Sequence, residues 1–83
     1  MNPETRIYTD VQVDHCCKEL RNRLKELRKQ RRLSQANVAA LLKIDRSTYS
    51  YYELGRTQPN LSILLRLASY YNVTIDYLLD FQL

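Results

Sequence analysis

The polar and aromatic run from position 46 to 51 includes four side chains that are spaced by three or four residues. They are Arg46, Ser47, Ser50 and Tyr51. If this segment is helical, their spacing projects them together from one face. Guanidinium and hydroxyl groups can hydrogen-bond to the edges of bases, and arginine pairs best with guanine. The cluster is therefore a candidate base-reading surface.

A second cluster with possible chemistry is His15, Cys16 and Cys17. Adjacent cysteines lack the spacing that builds a tetrahedral zinc site. A disulfide between neighbouring residues would be strained. An enzyme or redox protein centred here would also need a pocket and a base that the sequence does not indicate. We expect reduced thiols, no metal, no cofactor and no enzymatic activity.

The base-reading cluster lies within Leu33 to Gly55, where two short helical patterns are about three residues apart. Ser34 can cap the first of these helices, which should end near Lys43. The expected apolar face of this helix consists of Val38, Ala39, Leu41 and Leu42.

Asp45 is a suitable cap for the second helix, in which Tyr49 and Tyr52 share an inward face with Thr48. Gly55, the only glycine in the chain, should end this helix in the left-handed conformation. Two helices joined this tightly cross at a steep angle, and the second can enter a groove about 12 Å wide.

These features resemble the Cro/cI-type (XRE-like, lambda-repressor-like) helix-turn-helix family of DNA-binding transcriptional regulators. The matching segments, within roughly residues 20–79, are Leu33-Ser34-Gln35, Val38-Ala39, Arg46-Ser47-Thr48, Glu53-x-Gly55, Pro59, Leu61 to Ala68 and Val73 to Leu79. The resemblance implies an all-α, compact five-helix lambda-repressor-like domain that binds double-stranded DNA through the major groove.

The resemblance also assigns roles by position. The helix from Gln35 would support a recognition helix that begins at Arg46 and reads bases with Arg46, Ser47, Ser50 and Tyr51. Glu53 matches a position that pairs with an arginine of the first helix, here Arg28, and this ion pair should stabilise the fold. Phosphate contacts are expected from Ser34, Gln35, Arg31, Arg32, Lys43, Arg56, Thr57 and Gln58.

The chain departs from the family pattern in two places. Lys43 replaces the usual glycine, and a left-handed lysine costs about 1–2 kcal/mol. The recognition face also lacks the Gln and Asn that read adenine. Guanine contact by Arg46 is therefore the best prediction, with thymine methyl contacts or DNA shape at the other positions.

The charge is concentrated in the first helix. The net charge is +4 overall, but between Lys18 and Arg32 eight basic residues face two acidic ones, a local charge of +6. Such a patch attracts phosphate in a salt-dependent way, although a solvated helix face is the alternative. Residues 56–58 likewise either touch phosphate or only carry the chain to Asn60.

Two further helices are expected after this loop. Asn60 should cap a helix over residues 62–71, and Thr74 should cap a short helix with Ile75, Leu78 and Leu79. The expected buried residues of the longer helix are Leu64, Leu65, Leu67 and Ala68.

The chain ends in an apolar run from Tyr77 to Leu83. In the family this region commonly forms the two-fold contact, so Tyr77, Phe81 and Leu83 are candidate residues of a homodimer interface. The alternative is that they fold back onto their own core.

Eighty-three residues can bury one small core. We expect a helix-turn-helix domain over residues 18–83 after an N-terminal arm over residues 1–17, extended or partly ordered. The arm is acidic, which disfavours a DNA-gripping role. It could pack on the first helix, lengthen that helix backwards, or contact a partner subunit.

The sequence thus predicts a transcriptional regulator, most simply a repressor that binds a palindromic operator as a dimer. The alternative is a protein-interaction module of the same fold that binds another regulator through the apolar tail. With no signal peptide and no apolar run of membrane-spanning length, we expect a cytoplasmic protein of bacterial or phage type without membrane contact.

Overall fold

The computed structural model describes residues 6–83, and this part of the chain is all-helical, as the sequence predicts. The helices are α1 (Asp10–Gln30), α2 (Gln35–Leu42), α3 (Arg46–Leu54), α4 (Leu61–Tyr71) and α5 (Ile75–Leu79). None of these five helices is long and apolar enough to cross a membrane.

The starts of the helices are set by capping residues. The side chains of Thr9, Ser34, Asn60 and Thr74 each accept a hydrogen bond from the backbone N–H three residues later. The predicted caps at Ser34, Asn60 and Thr74 are therefore confirmed. Asp45 does occupy the cap position of α3, but its exposed side chain makes no capping hydrogen bond. The predicted cap residue of α3 is therefore in place, but the prediction that its side chain would cap the helix is wrong.

Each helix is followed by a residue in the left-handed conformation. These residues are Arg32, Lys43, Gly55, Asn72 and Asp80, with φ between 49° and 77°. Gly55 ends α3 as predicted. A Cβ atom at Gly55 would lie 2.5 Å from Nη1 of Arg21, so glycine suits this position in both backbone conformation and space.

One hydrophobic core joins all five helices. Tyr49 lies at its centre and is fully buried. The other buried residues are Leu20, Leu24 and Leu27 of α1, Val38, Ala39 and Leu42 of α2, Tyr52 of α3, Ile63, Leu67, Ala68 and Tyr71 of α4, and Leu78 of α5.

Two leucines predicted to be buried are exposed. Leu41 and Leu65 each keep about half of their surface in solvent, at 53% and 52%. The buried stripe of α2 follows Val38 and Leu42, four apart, and Leu41 lies beyond its edge. In α4, which begins one residue earlier than predicted, Leu65 lies opposite the stripe of Ile63 and Leu67. Leu64 is only partly buried.

The N-terminal arm differs most from expectation, because α1 already begins at Asp10. Of the three alternatives for residues 1–17, the described part lengthens the first helix backwards, so a boundary after residue 17 falls inside α1. The cause is a capping box, in which Thr9 and Gln12 each bond the other's backbone N–H. We call residues 10–17 the N-terminal extension of α1. Residues 1–5 of the predicted arm lie outside the described residues.

Candidate nucleic-acid interface

A three-residue turn, residues 43–45, joins α2 to α3. Lys43 takes the left-handed conformation there, with φ 57°. This allows the N–H of Lys43 to bond the carbonyl of Ala40 at 3.1 Å, and that of Ile44 to bond the carbonyl of Ala39 at 3.0 Å. The chain thus keeps the sharp turn that the resemblance implies, although lysine replaces glycine.

The outer face of α3 carries the predicted base-reading residues. Arg46, Ser47 and Tyr51 are exposed there. Ser50 is half-buried, and its hydroxyl donates to the carbonyl of Ser47 at 2.9 Å. The structure therefore brings the four residues together, with Ser50 able to offer mainly its oxygen lone pairs to a ligand.

The inner face of α3 anchors the helix in the core. The rings of Tyr49 and Tyr52 meet edge to face, with centroids 6.1 Å apart and an interplanar angle of 83°. Aromatic pairs favour this geometry. Because α3 is held by two large buried side chains, its outer face is presented in a fixed orientation.

Glu53 connects three helices from a nearly inaccessible position, with 3% of its side chain exposed. Its Oε2 accepts hydrogen bonds from Arg28 Nε at 2.7 Å and from the Tyr49 hydroxyl at 2.6 Å. Its Oε1 accepts from Arg28 Nη2 at 2.9 Å and from Gln35 Nε2 at 3.2 Å. The Arg28–Glu53 ion pair that the resemblance implies is thus present, within a larger network.

This network also shifts the protonation of its members. Burial alone would raise the pKa of the Glu53 carboxyl, but the hydrogen bonds from Arg28, Tyr49 and Gln35 outweigh burial and lower that pKa. Burial, followed by the hydrogen bond to Glu53, raises the pKa of the Tyr49 hydroxyl. Glu53 is therefore a carboxylate at neutral pH, and Tyr49 is its neutral donor.

The start of α2 holds two predicted phosphate ligands, Ser34 and Gln35. The Ser34 hydroxyl accepts from the Asn37 N–H at 3.0 Å, and the Gln35 amide donates to Glu53. Both side chains thus have partners within the chain. One N–H of the Gln35 side chain stays available, as do free backbone N–H groups of the first turn, where the helix dipole favours an anion.

The remaining predicted phosphate ligands differ in their surroundings. All six are exposed, namely Arg31, Arg32, Lys43, Arg56, Thr57 and Gln58. The Arg56 guanidinium lies 5.6 Å from the centre of the Tyr51 ring, which brings the loop after α3 next to the outer face. The Arg31 guanidinium donates to the carbonyl of Tyr71 at 3.3 Å and stacks near the ring of Tyr70. It therefore also ties α1 to the end of α4.

The predicted dimer residues are partly engaged within the chain. Arg23 stacks on the ring of Tyr77 at 4.6 Å and also donates to the Tyr77 carbonyl. The Phe81 ring packs on that of Tyr8 with centroids 5.1 Å apart. Tyr77 and Phe81 nevertheless stay 45% and 38% exposed, and Leu83 is fully exposed.

The chain after α5 is fastened to the start of α1 by contacts that sequence reasoning missed. His15 Nε2 lies 2.8 Å from Asp80 Oδ2, and this hydrogen bond lowers the pKa of Asp80. The Tyr8 hydroxyl donates to the carbonyl of Gln82 and accepts from its N–H at 3.1 Å. We call these contacts the terminal clasp. No local sequence signal connects residues 65 to 74 positions apart.

Cys16 and Cys17 are free thiols. Cys16 lines a cavity of about 340 Å³ beside the terminal clasp, and burial raises its pKa. Among residues 6–83, no three His, Cys, Asp or Glu side chains are grouped so that they could hold a metal ion.

The hydrogen bond between Tyr49 and Glu53 was also not predicted, although the sequence contains a signal for it. Tyr49 and Glu53 are four residues apart in a helix, a spacing at which side chains touch. The Gln35–Glu53 bond joins two helices and could not be found from spacing.

Comparison with known proteins supports the same fold. A helix-turn-helix family model matches residues 24–78. The chain is 43% identical over 56 residues to the HTH-type transcriptional regulator YqaE of Bacillus subtilis, covering 68% of this chain and 48% of YqaE. It is 45% identical over 58 residues to AnsR of the same organism, covering 70% of this chain and 50% of AnsR. It is 40% identical over 60 residues to ImmR, also from that organism, covering 72% of this chain and 47% of ImmR.

The chain thus spans about half the length of these curated relatives. No solved structure matches it significantly. The family match contains the turn at Lys43, the buried tyrosines of α3 and the Arg28–Glu53 pair. These observations together establish that the chain belongs to the Cro/cI-type helix-turn-helix family.

Proposed function

We propose that this protein is a sequence-specific regulator of transcription that binds double-stranded DNA through the major groove. In this proposal it acts in the cytoplasm as a homodimer on a palindromic operator. Its simplest mode of action is repression, in which the bound dimer denies polymerase access to the site.

The observation that carries the proposal is the division of α3 into two faces. Tyr49, Tyr52 and Glu53 fix the inner face in the core, while Arg46 and Tyr51 are exposed on the outer face. A rigid helix with free polar side chains is what base reading requires, because hydrogen bonds to base edges need defined directions. Arg46 is the proposed guanine contact, with Ser47, Ser50 and Tyr51 beside it.

Positive charge around α3 supports phosphate binding. Exposed cationic side chains lie at the end of α1, in the turn before α3 and in the loop after it, at Arg32, Lys43 and Arg56. With Ser34, Gln35, Arg31, Thr57 and Gln58 they form the proposed phosphate-binding set. Each phosphate that is neutralised releases a counterion, so affinity should fall steeply with salt.

A palindromic operator follows from two-fold symmetry. A dimer would place its two α3 helices one turn of DNA apart, about 34 Å. The exposed fractions of Tyr77, Phe81 and Leu83 keep these residues as proposed dimer contacts, although Tyr77 and Phe81 also pack against their own chain.

The proposal is tested by selecting binding sites from random duplex DNA and titrating the enriched site at two salt concentrations. We expect a palindrome with half-sites about 10 base pairs apart, and affinity that falls with salt. Weak binding of all sequences without enrichment would reject sequence-specific regulation. That result would favour the alternative, a module that binds another regulator through its apolar tail.

A further inference from the structure

We propose that the N-terminal extension of α1 is the surface on which a second copy of this chain docks, with the two α1 helices antiparallel. This inference rests on the homodimer of the proposed function and adds the extension to its interface, beside the tail whose Phe81 packs on Tyr8. The extension precedes residues 24–78, which the family model covers, so the inference depends on this chain's own residues.

The extension is a well-defined helix although the core does not cover it. The capping box of Thr9 and Gln12 fixes where α1 begins. The terminal clasp then holds it from one side, through Tyr8 with Gln82 and His15 with Asp80. Two turns of helix are thus stabilised beyond the core, which indicates a rigid surface rather than a fraying end.

An apolar stripe of α1 continues from the core into the extension. Leu24 and Leu20 are buried, with 0% and 5% of their surface exposed. One and two turns earlier on the same face lie Cys17, which is half-buried, and Val13, which is 46% exposed. The apolar stripe therefore continues into the extension, where the core no longer covers it.

The order of charges beside this stripe favours a second copy of the same helix. Asp10 and Asp14 lie on one flank, and Lys18 and Arg21 follow on that flank one to three turns later. Two α1 helices packed antiparallel would bring the acidic turns of one against the basic turns of the other. Parallel packing would not pair this flank with itself, and it would also align the helix dipoles unfavourably.

The same charges argue against DNA as the occupant of this surface. The carboxylates of Asp10 and Asp14 would repel phosphates, whereas the basic end of α1 near Arg28 lies about four to five turns away. Docking of a second copy would instead remove the exposed part of Val13 from water.

The first test is sedimentation velocity of the full chain without DNA, over a range of protein concentrations. We expect a wild-type dimer. Val13→Glu should weaken dimerisation at least about tenfold, because it places a charge in the apolar stripe. Leu65→Glu is the matched control, since Leu65 is similarly exposed but lies on α4, and it should leave the dimer unchanged. Thermal melts of both variants check that the fold is retained.

A charge exchange tests the antiparallel arrangement. Lys18→Asp should weaken the dimer by about tenfold or more, because acidic side chains would then face one another. Combining it with Asp14→Lys restores opposite charges across the interface and should recover dimerisation.

A monomeric wild type, equal effects of Val13→Glu and Leu65→Glu, or no recovery by the double exchange would each overturn the inference. Site selection from random DNA tests sequence-specific binding separately, and enrichment of a site would support it after any of these results. A monomeric wild type would, however, also contradict the dimer in the proposed function.

Discussion

Arg28 holds Glu53 with two parallel hydrogen bonds, from Nε at 2.7 Å and from Nη2 at 2.9 Å. The third guanidinium nitrogen, Nη1, donates to the carbonyl of Leu33 at 3.0 Å. One side chain of α1 thereby fixes both the connection to α2 and the orientation of α3. Lysine could not replace it, because an ammonium group lacks the planar fork that binds both carboxylate oxygens.

Arg28→Ala should destabilise the protein by about 3 kcal/mol, because it leaves a buried carboxylate without its cation. For a domain of this size the melting temperature should fall by more than about 10 °C. Arg21→Ala, which removes a guanidinium two turns earlier on α1, is the control and should change the melt less. An unchanged melt in Arg28→Ala would contradict a structural role for the pair.

The stability should also depend on pH through Glu53. The carboxyl pKa of Glu53 is lower in the folded protein than in the unfolded chain, where it is about 4.3. The stabilisation is therefore complete above the unfolded pKa and is lost as pH falls through the folded pKa. In urea unfolding from pH 7 to pH 3, the difference between wild type and Glu53→Gln should shrink. A constant difference would show that ionisation of Glu53 does not contribute.

Two buried tyrosines should respond oppositely to loss of the hydroxyl. Tyr49→Phe removes a donor to the Glu53 carboxylate and should cost about 1.5 kcal/mol. The Tyr71 hydroxyl has no hydrogen-bond partner among residues 6–83, and burial raises its pKa to about 12. Tyr71→Phe should therefore be neutral or stabilise by up to about 1 kcal/mol. Denaturant titration of both variants checks this; equal losses would refute the assignment.

Lys43→Gly should separate stability from DNA affinity. Glycine relieves the strain of a left-handed lysine, which amounts to about 1–2 kcal/mol. Its greater freedom in the unfolded chain offsets part of this, so the free energy of unfolding should rise by up to about 1 kcal/mol. Loss of the exposed cation should meanwhile weaken binding and reduce its salt dependence by about one phosphate contact. Thermal melts and salt titrations measure the two effects. An unchanged salt dependence would remove Lys43 from the phosphate-binding set.

Arg46→Ala should lower binding to the selected operator by about 1–3 kcal/mol and relax the preference for one base pair. Its side chain is exposed and takes no part in the core, so the melting temperature should stay the same. Equal losses on operator and random duplexes would argue instead for a phosphate contact.

The helix-turn-helix was predictable because its signals are local. Helix starts are indicated by the capping residues Ser34, Asn60 and Thr74, and the end of α3 is indicated by Gly55. The inward position of Tyr49 and Tyr52 follows from their spacing alone. The Arg28–Glu53 pair came from the family resemblance, since no local rule joins residues 25 positions apart.

The start of α1 was not predicted because long-range contacts help to decide it. Thr9 and Gln12 are a readable capping signal, but the acidic charge of residues 1–17 does not show where the first helix begins. The contact between His15 and Asp80 joins residues 65 positions apart, so no local pattern predicts it. The prediction that Leu41 and Leu65 are buried is wrong because apolar character alone does not show which side of a short helix faces the core.

The left-handed residues that follow the five helices include a single glycine. Arginine, lysine, asparagine and aspartate adopt this conformation with strain, but each has far fewer conformations in the unfolded chain than glycine would have. The denatured ensemble is thereby narrowed, and less entropy is lost on folding. Part of this small domain's free energy of unfolding therefore comes from the restricted conformations of its unfolded chain. The contacts of the folded molecule do not show this contribution.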